Sequence, residues 1–351
     1  KSITPSLFKG SELVSVEIPS SCTTLGGYVF QDCLSLEKVL APGVEKIYIS
    51  AFRHCPNIEI VSSSALNDGE KGIYLPKLQE ALSYAFSANT ALKSVRLDGL
   101  TTIGDALFYG CSALSTCQIM NITTLSSACF YQCSSLQGFT IGEKVESVGE
   151  LAFYGVADSI DLKVHSSNTS FYADGTALYS SNSLVYLYNR DGGTYSVLSS
   201  IRLNGTLSNI VTIEPCSMMN LNLAELVIPL TISSIGGNAV YESSIGTLDY
   251  RAKSVSGSSY IVEYEDGSFG IALPFGGTYI QNLMISTSSK KIPERLFQGA
   301  YVNNLHIEST NTTYESGAFY CYDLDNVYYD FSTSATSTYV PFYTPWMDVS
   351  T

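Results

Sequence analysis

Large apolar residues set in short segments of the form A-F-x-x-C return along this chain at a fixed interval. That interval limits the possible folds more than any other feature. The residues are Phe8, Phe30, Phe52, Phe86, Phe108, Phe130, Phe153, Met218, Val240, Phe297 and Phe319. Their spacings are 22, 22, 34, 22, 22, 23, 65, 22, 57 and 22 residues. Six intervals of 22 and one of 23 mark an internal repeat, here of about eleven units. A lone 22-residue unit buries too few apolar groups to offset the entropy of ordering its backbone. Such units are stable only when stacked, so that neighbours share their faces.

Other positions keep the same phase. Five or six residues after each anchor comes an L-x-x-L-x-L pattern, as in Leu13/Val16/Ile18, Leu92/Val95/Leu97, Leu114/Cys117/Ile119 and Leu136/Phe139/Ile141. Later copies are Leu223/Leu226/Ile228, Ile245/Leu248/Tyr250, Val302/Leu305/Ile307 and Leu324/Val327/Tyr329. The alternation in the last two apolar positions predicts a short, half-buried strand. Pro19, Pro42 and Pro229 punctuate its end. An apolar pair three apart follows, as in Leu100/Ile103, Ile122/Leu125, Val145/Val148 and Ile232/Ile235. The chain then re-enters the anchor through a compact segment, expected to be one turn of helix.

The long intervals read as insertions. Twelve extra residues lie between Phe52 and Phe86, around residues 62–70. Asp174-Gly175 and Ser181-Asn182 within an alternating stretch, and Asp266-Gly267 in a second, predict β-hairpins. The expected division is N-terminal repeats over 1–165 and an inserted hairpin region over 166–200. C-terminal repeats follow over 201–351, with a second insertion at about 251–279. The first residue is Lys1 rather than Met, so any export signal is expected to have been removed upstream.

The copies Ile18-Pro19 through Leu25-Gly26 to Val29-Phe30-Gln31-Asp32-Cys33-Leu34-Ser35-Leu36, and Ile103-Gly104 to Leu107-Phe108-Tyr109-Gly110-Cys111-Ser112-Ala113-Leu114, resemble the BspA-like leucine-rich-repeat proteins. The likeness runs over nearly the whole chain. The Asp174-Gly175…Leu178-Tyr179 segment is similar to an insertion seen in that family, and Tyr339-Val340-Pro341 to Trp346 to its terminal cap. The resemblance implies a β-rich leucine-rich-repeat solenoid of α/β type, with parallel strands on its concave face and short helical turns on the return segments. It also implies an extracellular or cell-surface location and a role in adhesion. The expected partner is a host or microbial surface protein or glycan. The family is not defined by an active site.

Composition sets exclusions. Net charge is −14 with only 18 Lys and Arg, which disfavours nucleic acid and anionic lipid as partners. No apolar run approaches the ~20 residues of a membrane helix. Nine cysteines with no CxxC pair argue against a fully bridged framework and a zinc site.

No catalytic, cofactor or metal set emerges from the side chains. Cys33, Cys55, Cys111 and Cys133, all three residues after an anchor, read either as bridges between stacked neighbours or as a row of buried thiols. His54 beside Cys55 lacks an orienting third group, and His165 stands alone. Asp323/Asp325/Asp330 and Glu263/Glu265/Asp266 have no calcium-loop spacing and no cleft to pair them as acids. Tyr172, Tyr179, Tyr186, Tyr188 and Tyr195, and Tyr320, Tyr322, Tyr328 and Tyr329, suit either hairpin packing or a binding surface. Sequons occur at Asn121, Asn168, Asn204 and Asn311.

One further reading follows from strand geometry. The residue between the last two apolar positions faces away from the core, onto the expected concave surface. That row is Glu17, Leu40, Arg96, Gln118, Thr140, Val227, Asp249, His306 and Tyr328. It carries no charge stripe. Glu17, Arg96, Gln118, Thr140, Asp249, His306 and Tyr328 are therefore the candidate binding residues, for a protein or glycan rather than a polyanion.

Overall fold

A computed structural model describes residues 1–63, 71–188, 192–203, 205–257, 260–263, 269–309 and 311–329, with only the backbone at 257, 260–263 and 269. The closing segment Tyr339 to Trp346, and Asp330, Asn204, Glu265 and Asp266, lie outside the described residues. The chain forms two compact units, Lys1–Gly175 and Thr176–Thr351.

In the first unit the L-x-x-L-x-L segments line up as a parallel front sheet. Its strands are Ser15–Glu17, Lys38–Leu40, Ile60–Ser62, Gly72–Tyr74, Ser94–Arg96 and Thr116–Gln118, in that spatial order. Register runs through the inward residues Val16, Val39, Val61, Ile73, Val95 and Cys117. A further parallel pair, Gly138–Ile141 and Asp161–Val164, carries two more coils. In the second unit six parallel strands repeat the arrangement: Gly192–Ser196, Asn222–Ile228, Ser244–Tyr250, Tyr279–Ile285, Tyr301–Ile307 and Asn326–Tyr329. Front strands thus outnumber the eleven anchored units. Two of the strands without an A-F-x-x-C segment explain long intervals: Gly72–Tyr74 in the 34-residue gap, and Tyr279–Ile285, preceded by the buried Phe275, in the 57-residue gap.

The apolar pair after each front strand forms a second parallel sheet of two-residue strands. In the first unit it runs Ser2–Ile3, Thr24–Leu25, Lys46–Ile47, Glu80–Ala81 and Thr102–Ile103. Lys46–Ile47 pairs directly with Glu80–Ala81, so among the described residues the coil containing Gly72–Tyr74 adds a strand to the front and none to the back. Gly72 makes this close insertion possible. At φ 151° a Cβ there would lie 2.1 Å from Ser94 Oγ.

The expected helical turn on the return segment is not present: among the described residues there is no helix. The coil of Phe108 shows why. Ala106 and Gly110 both take left-handed backbone angles, φ 55° and 70°. The N–H groups of Ala106, Phe108 and Gly110 donate across to Ser127, Cys129 and Tyr131 of the next coil. Tyr109 and Cys111 instead close tight turns onto Ala106 and Phe108. Alternate donors are therefore spent between coils, and no i→i−4 ladder can form.

The anchors make the core. Phe30, Phe52, Phe86, Phe108, Phe130 and Phe153 are buried and stack in sequence from Phe8, with ring centroids 5.2–5.8 Å apart. Each buried ring contributes roughly 1.5–3 kcal/mol by burial alone. Met218 and Val240 occupy the same position in the second unit and are fully buried. The hairpins expected from turn residues are found where Ala177–Tyr179 pairs antiparallel with Ser183–Leu187, and where Tyr260–Glu263 pairs with Phe269–Ala272. A third, Ser200–Leu203 with Thr206–Asn209, has no counterpart in the sequence reading.

Candidate functional site

The cysteines resolve first. All nine are free. Sγ of Cys33, Cys55, Cys111 and Cys133 donates to the backbone oxygen of Phe8, Phe30, Phe86 and Phe108, at 3.0–3.1 Å. They are a row of thiols closing turns between coils. Burial pushes the Cys55 and Cys111 thiols up to about 12, which leaves them protonated and poor nucleophiles at neutral pH. His54 turns instead to Asp32, 3.0 Å away. In its present geometry the Cys55–His54 neighbourhood is turn architecture.

The tyrosines of the first hairpin region pack inward. Tyr179, Tyr186, Tyr188 and Tyr195 are buried, and the hydroxyls of Tyr179 and Tyr195 meet at 2.5 Å; Tyr172 is exposed. Asn168 is also internal: its side-chain N–H groups donate to Gly142 and Val145 oxygens at 2.7 and 2.9 Å, so this sequon is closed by the fold.

The outward row proves to be two groups, one in each unit. In the first, Glu17 is exposed and registers with Leu40. Thr140 is half-buried and registers with Lys163 on the separate strand pair. Arg96 and Gln118 lie side by side, with Tyr74 on the other flank of Arg96. These three stand over a groove of about 690 Å³ lined also by Lys71, Ser94 and Thr116. The Arg96 guanidinium lies over the Tyr74 ring, 5.4 Å from its centroid. Its Nε donates to Asp98, 2.9 Å away. Lys71 Nζ is held by Glu59 at 2.8 Å, and Ser94 Oγ donates to Lys71 O at 2.6 Å.

In the second unit the row runs Ser196, Val227, Asp249, Met284, His306 and Tyr328. Val227 is buried, against the expectation of an outward residue. Asp249 is paired with Arg251, whose Nε donates at 2.8 Å. His306 stacks on Tyr328 with centroids 4.5 Å apart. Beside them runs a ladder of asparagines. Asn304 donates to Asn282 at 3.0 Å, and Asn326 to Asn304 at 2.9 Å. A third row presents Tyr279, Tyr301 and Tyr322, all exposed.

Tyr74 and Met284 were missed because their coils have no A-F-x-x-C anchor. Their signal is nevertheless present: Ile73-Tyr74-Leu75-Pro76 repeats the phase of Val16-Glu17-Ile18-Pro19, and Leu283-Met284-Ile285 that of Leu305-His306-Ile307. The Tyr279/Tyr301 row lies at the start of seven-residue strands, longer than the alternation predicted.

Among the described residues no group of three or more His, Cys, Asp or Glu is placed to hold a metal. No helix among them is long and apolar enough to cross a membrane.

Comparison with known proteins agrees with this geometry. A leucine rich cell surface protein from Faecalibacterium prausnitzii superposes with a TM-score of 0.65 at 20% identity, over 97% of this chain and 86% of that one. A leucine-rich repeat protein from Bacteroides ovatus gives 0.50 at 14% identity, over 91% and 68%. These likenesses establish the fold. No curated protein matches the chain. The BspA type leucine rich repeat region matches in six copies, over residues 1–77, 66–184, 194–265 and 273–343. With the stacked coils and the anchor column behind that match, the chain belongs to the BspA-type leucine-rich-repeat family.

Proposed function

We propose that this chain is a non-enzymatic, surface-displayed interaction protein that engages a host or neighbouring-cell macromolecule through the outward faces of its front sheets. The observation that carries the reading is the second unit's face, where Tyr279/Tyr301, Asn282/Asn304/Asn326 and His306/Tyr328 stand in register. Tyrosine offers large contact area at low entropic cost, and a half-exposed amide ladder retains hydrogen-bonding capacity for a partner. Display outside the cell fits the description of the Faecalibacterium structure as a cell surface protein. A role as the carbohydrate-binding component of a glycan-uptake system is the second reading, favoured by the exposed tyrosines.

The test is an array of host proteins and glycans probed with the purified chain and with the Arg96→Ala, Asp249→Ala, His306→Ala triple variant. The wild type should retain a partner and the triple variant should lose it. Undiminished binding by the triple variant defeats the front-face reading, and a glycan-only set of partners selects the second one.

A further inference from the structure

The groove on the first unit carries a more specific assignment. It crosses the strands Gly72–Tyr74, Ser94–Arg96 and Thr116–Gln118, and its volume of about 690 Å³ accommodates a small ligand or one or two units of a chain. Ile73 and Val95 turn inward and are buried. The walls are therefore the Arg96 guanidinium, the Lys71 ammonium held by Glu59, an amide, hydroxyls and one aromatic ring.

Four of those groups have hydrogen-bonding capacity left over. Arg96 uses Nε for Asp98, and no bond engages its two Nη nitrogens among the described residues. The Gln118 amide, the Thr116 hydroxyl and the Tyr74 hydroxyl make no side-chain hydrogen bond among the described residues. Asp98 and the Tyr74 ring orient the guanidinium, which stays more than half exposed and open to a ligand. A fixed pair of guanidinium N–H donors matches a carboxylate by two parallel bonds. Hydroxyls and an amide, which both donate and accept, match the hydroxyls of a sugar ring. A peptide would instead need an apolar pocket for an anchoring side chain, and the inward turn of Ile73 and Val95 leaves none here.

We propose that the groove binds a carboxylated sugar unit of a surface glycan, with Arg96 receiving the carboxylate and Thr116, Gln118 and Tyr74 the ring hydroxyls. The assignment rests on the interaction reading above and names a ligand class for one of its faces.

The experiment is titration of the full chain with uronate oligosaccharides, sialylated oligosaccharides, carboxyl-reduced versions of the same sugars, and an acidic peptide. The chain should bind at least one carboxylated sugar and bind its reduced counterpart at least about tenfold more weakly, the loss of one charge-assisted pair. Arg96→Gln should produce a similar loss, and Gln118→Ala a smaller one, with unchanged circular dichroism. The control substitution Glu12→Gln, at an exposed position outside the groove, should leave this binding intact. Equal affinity for reduced sugars, capture of the peptide alone, or indifference to Arg96→Gln overturns the proposal. A chain that binds none of these probes but keeps partners on the protein and glycan array loses the groove assignment while the wider reading stands; a chain that binds nothing in either experiment defeats both.

Discussion

Ala128 sits at φ 53°, two residues before the anchor Phe130, in the left-handed region that costs an L-residue about 1–2 kcal/mol. Ser6, Tyr28, Ser50, Tyr84, Ala106 and Leu151 hold the same place in their coils with the same sign of φ. Ala128→Gly should therefore raise stability, by up to about 1 kcal/mol in urea unfolding. A helical turn at this position would give the opposite result, a loss of about 1 kcal/mol. The thiols make a second residue-scale prediction. Burial raises the Cys55 and Cys111 thiols from an ordinary 9.0 to about 12, so the folded state binds the proton more tightly than the unfolded chain does. Their contribution is intact below pH 9 and is lost as pH rises from there toward 12. Native protein at pH 8 should resist thiol reagents, and its melting temperature should fall above pH 9. A Cys55→Ala, Cys111→Ala variant should show a shallower alkaline decline; an equally steep one would remove the thiols as its cause.

Among the elements, the strand Gly72–Tyr74 is set apart: it joins the front sheet, and none of the described residues between Val61 and Leu75 joins the back one. Excising the twelve residues 63–74 returns Phe52 and Phe86 to the 22-residue interval and puts Ser62 directly before Leu75-Pro76, the phase of Leu40-Ala41-Pro42. The rings of Phe52 and Phe86 already stack at 5.4 Å, so the deletion should preserve the fold while abolishing any binding that needs Tyr74. Loss of cooperative unfolding in this variant would show the coil to be structural. Element by element, legibility tracked length and phase. Three apolar positions at fixed spacing reveal a front strand, whereas a two-residue back strand such as Thr102–Ile103 is too short to show a period. The return segment misled for a related reason. A-L-F-Y-G reads locally as helix, and only the neighbouring coil, by accepting the Phe108 N–H at Cys129, decides otherwise. At the site, Arg96 and Gln118 were legible from alternation alone, but their third neighbour, Tyr74, belongs to a coil without an anchor.

For the molecule as a whole, a net charge of −14 acts at longer range than any one contact. Heparin and DNA columns should fail to retain the chain at about 150 mM salt, despite the local cations of the groove. Firm retention there would reassign Lys71 and Arg96 to a polyanion track. The strand present in one layer and missing from the other has a consequence for how such a protein can change. It widens the exterior by one strand spacing, ~4.8 Å, while the column of rings inside keeps its contacts unbroken. Gains and losses of a dozen residues at such a place redraw what the exterior offers and go unnoticed by the interior. Specificity is thereby free to drift at nearly constant stability, and related chains of differing length should differ first in what they hold and only later in how they fold.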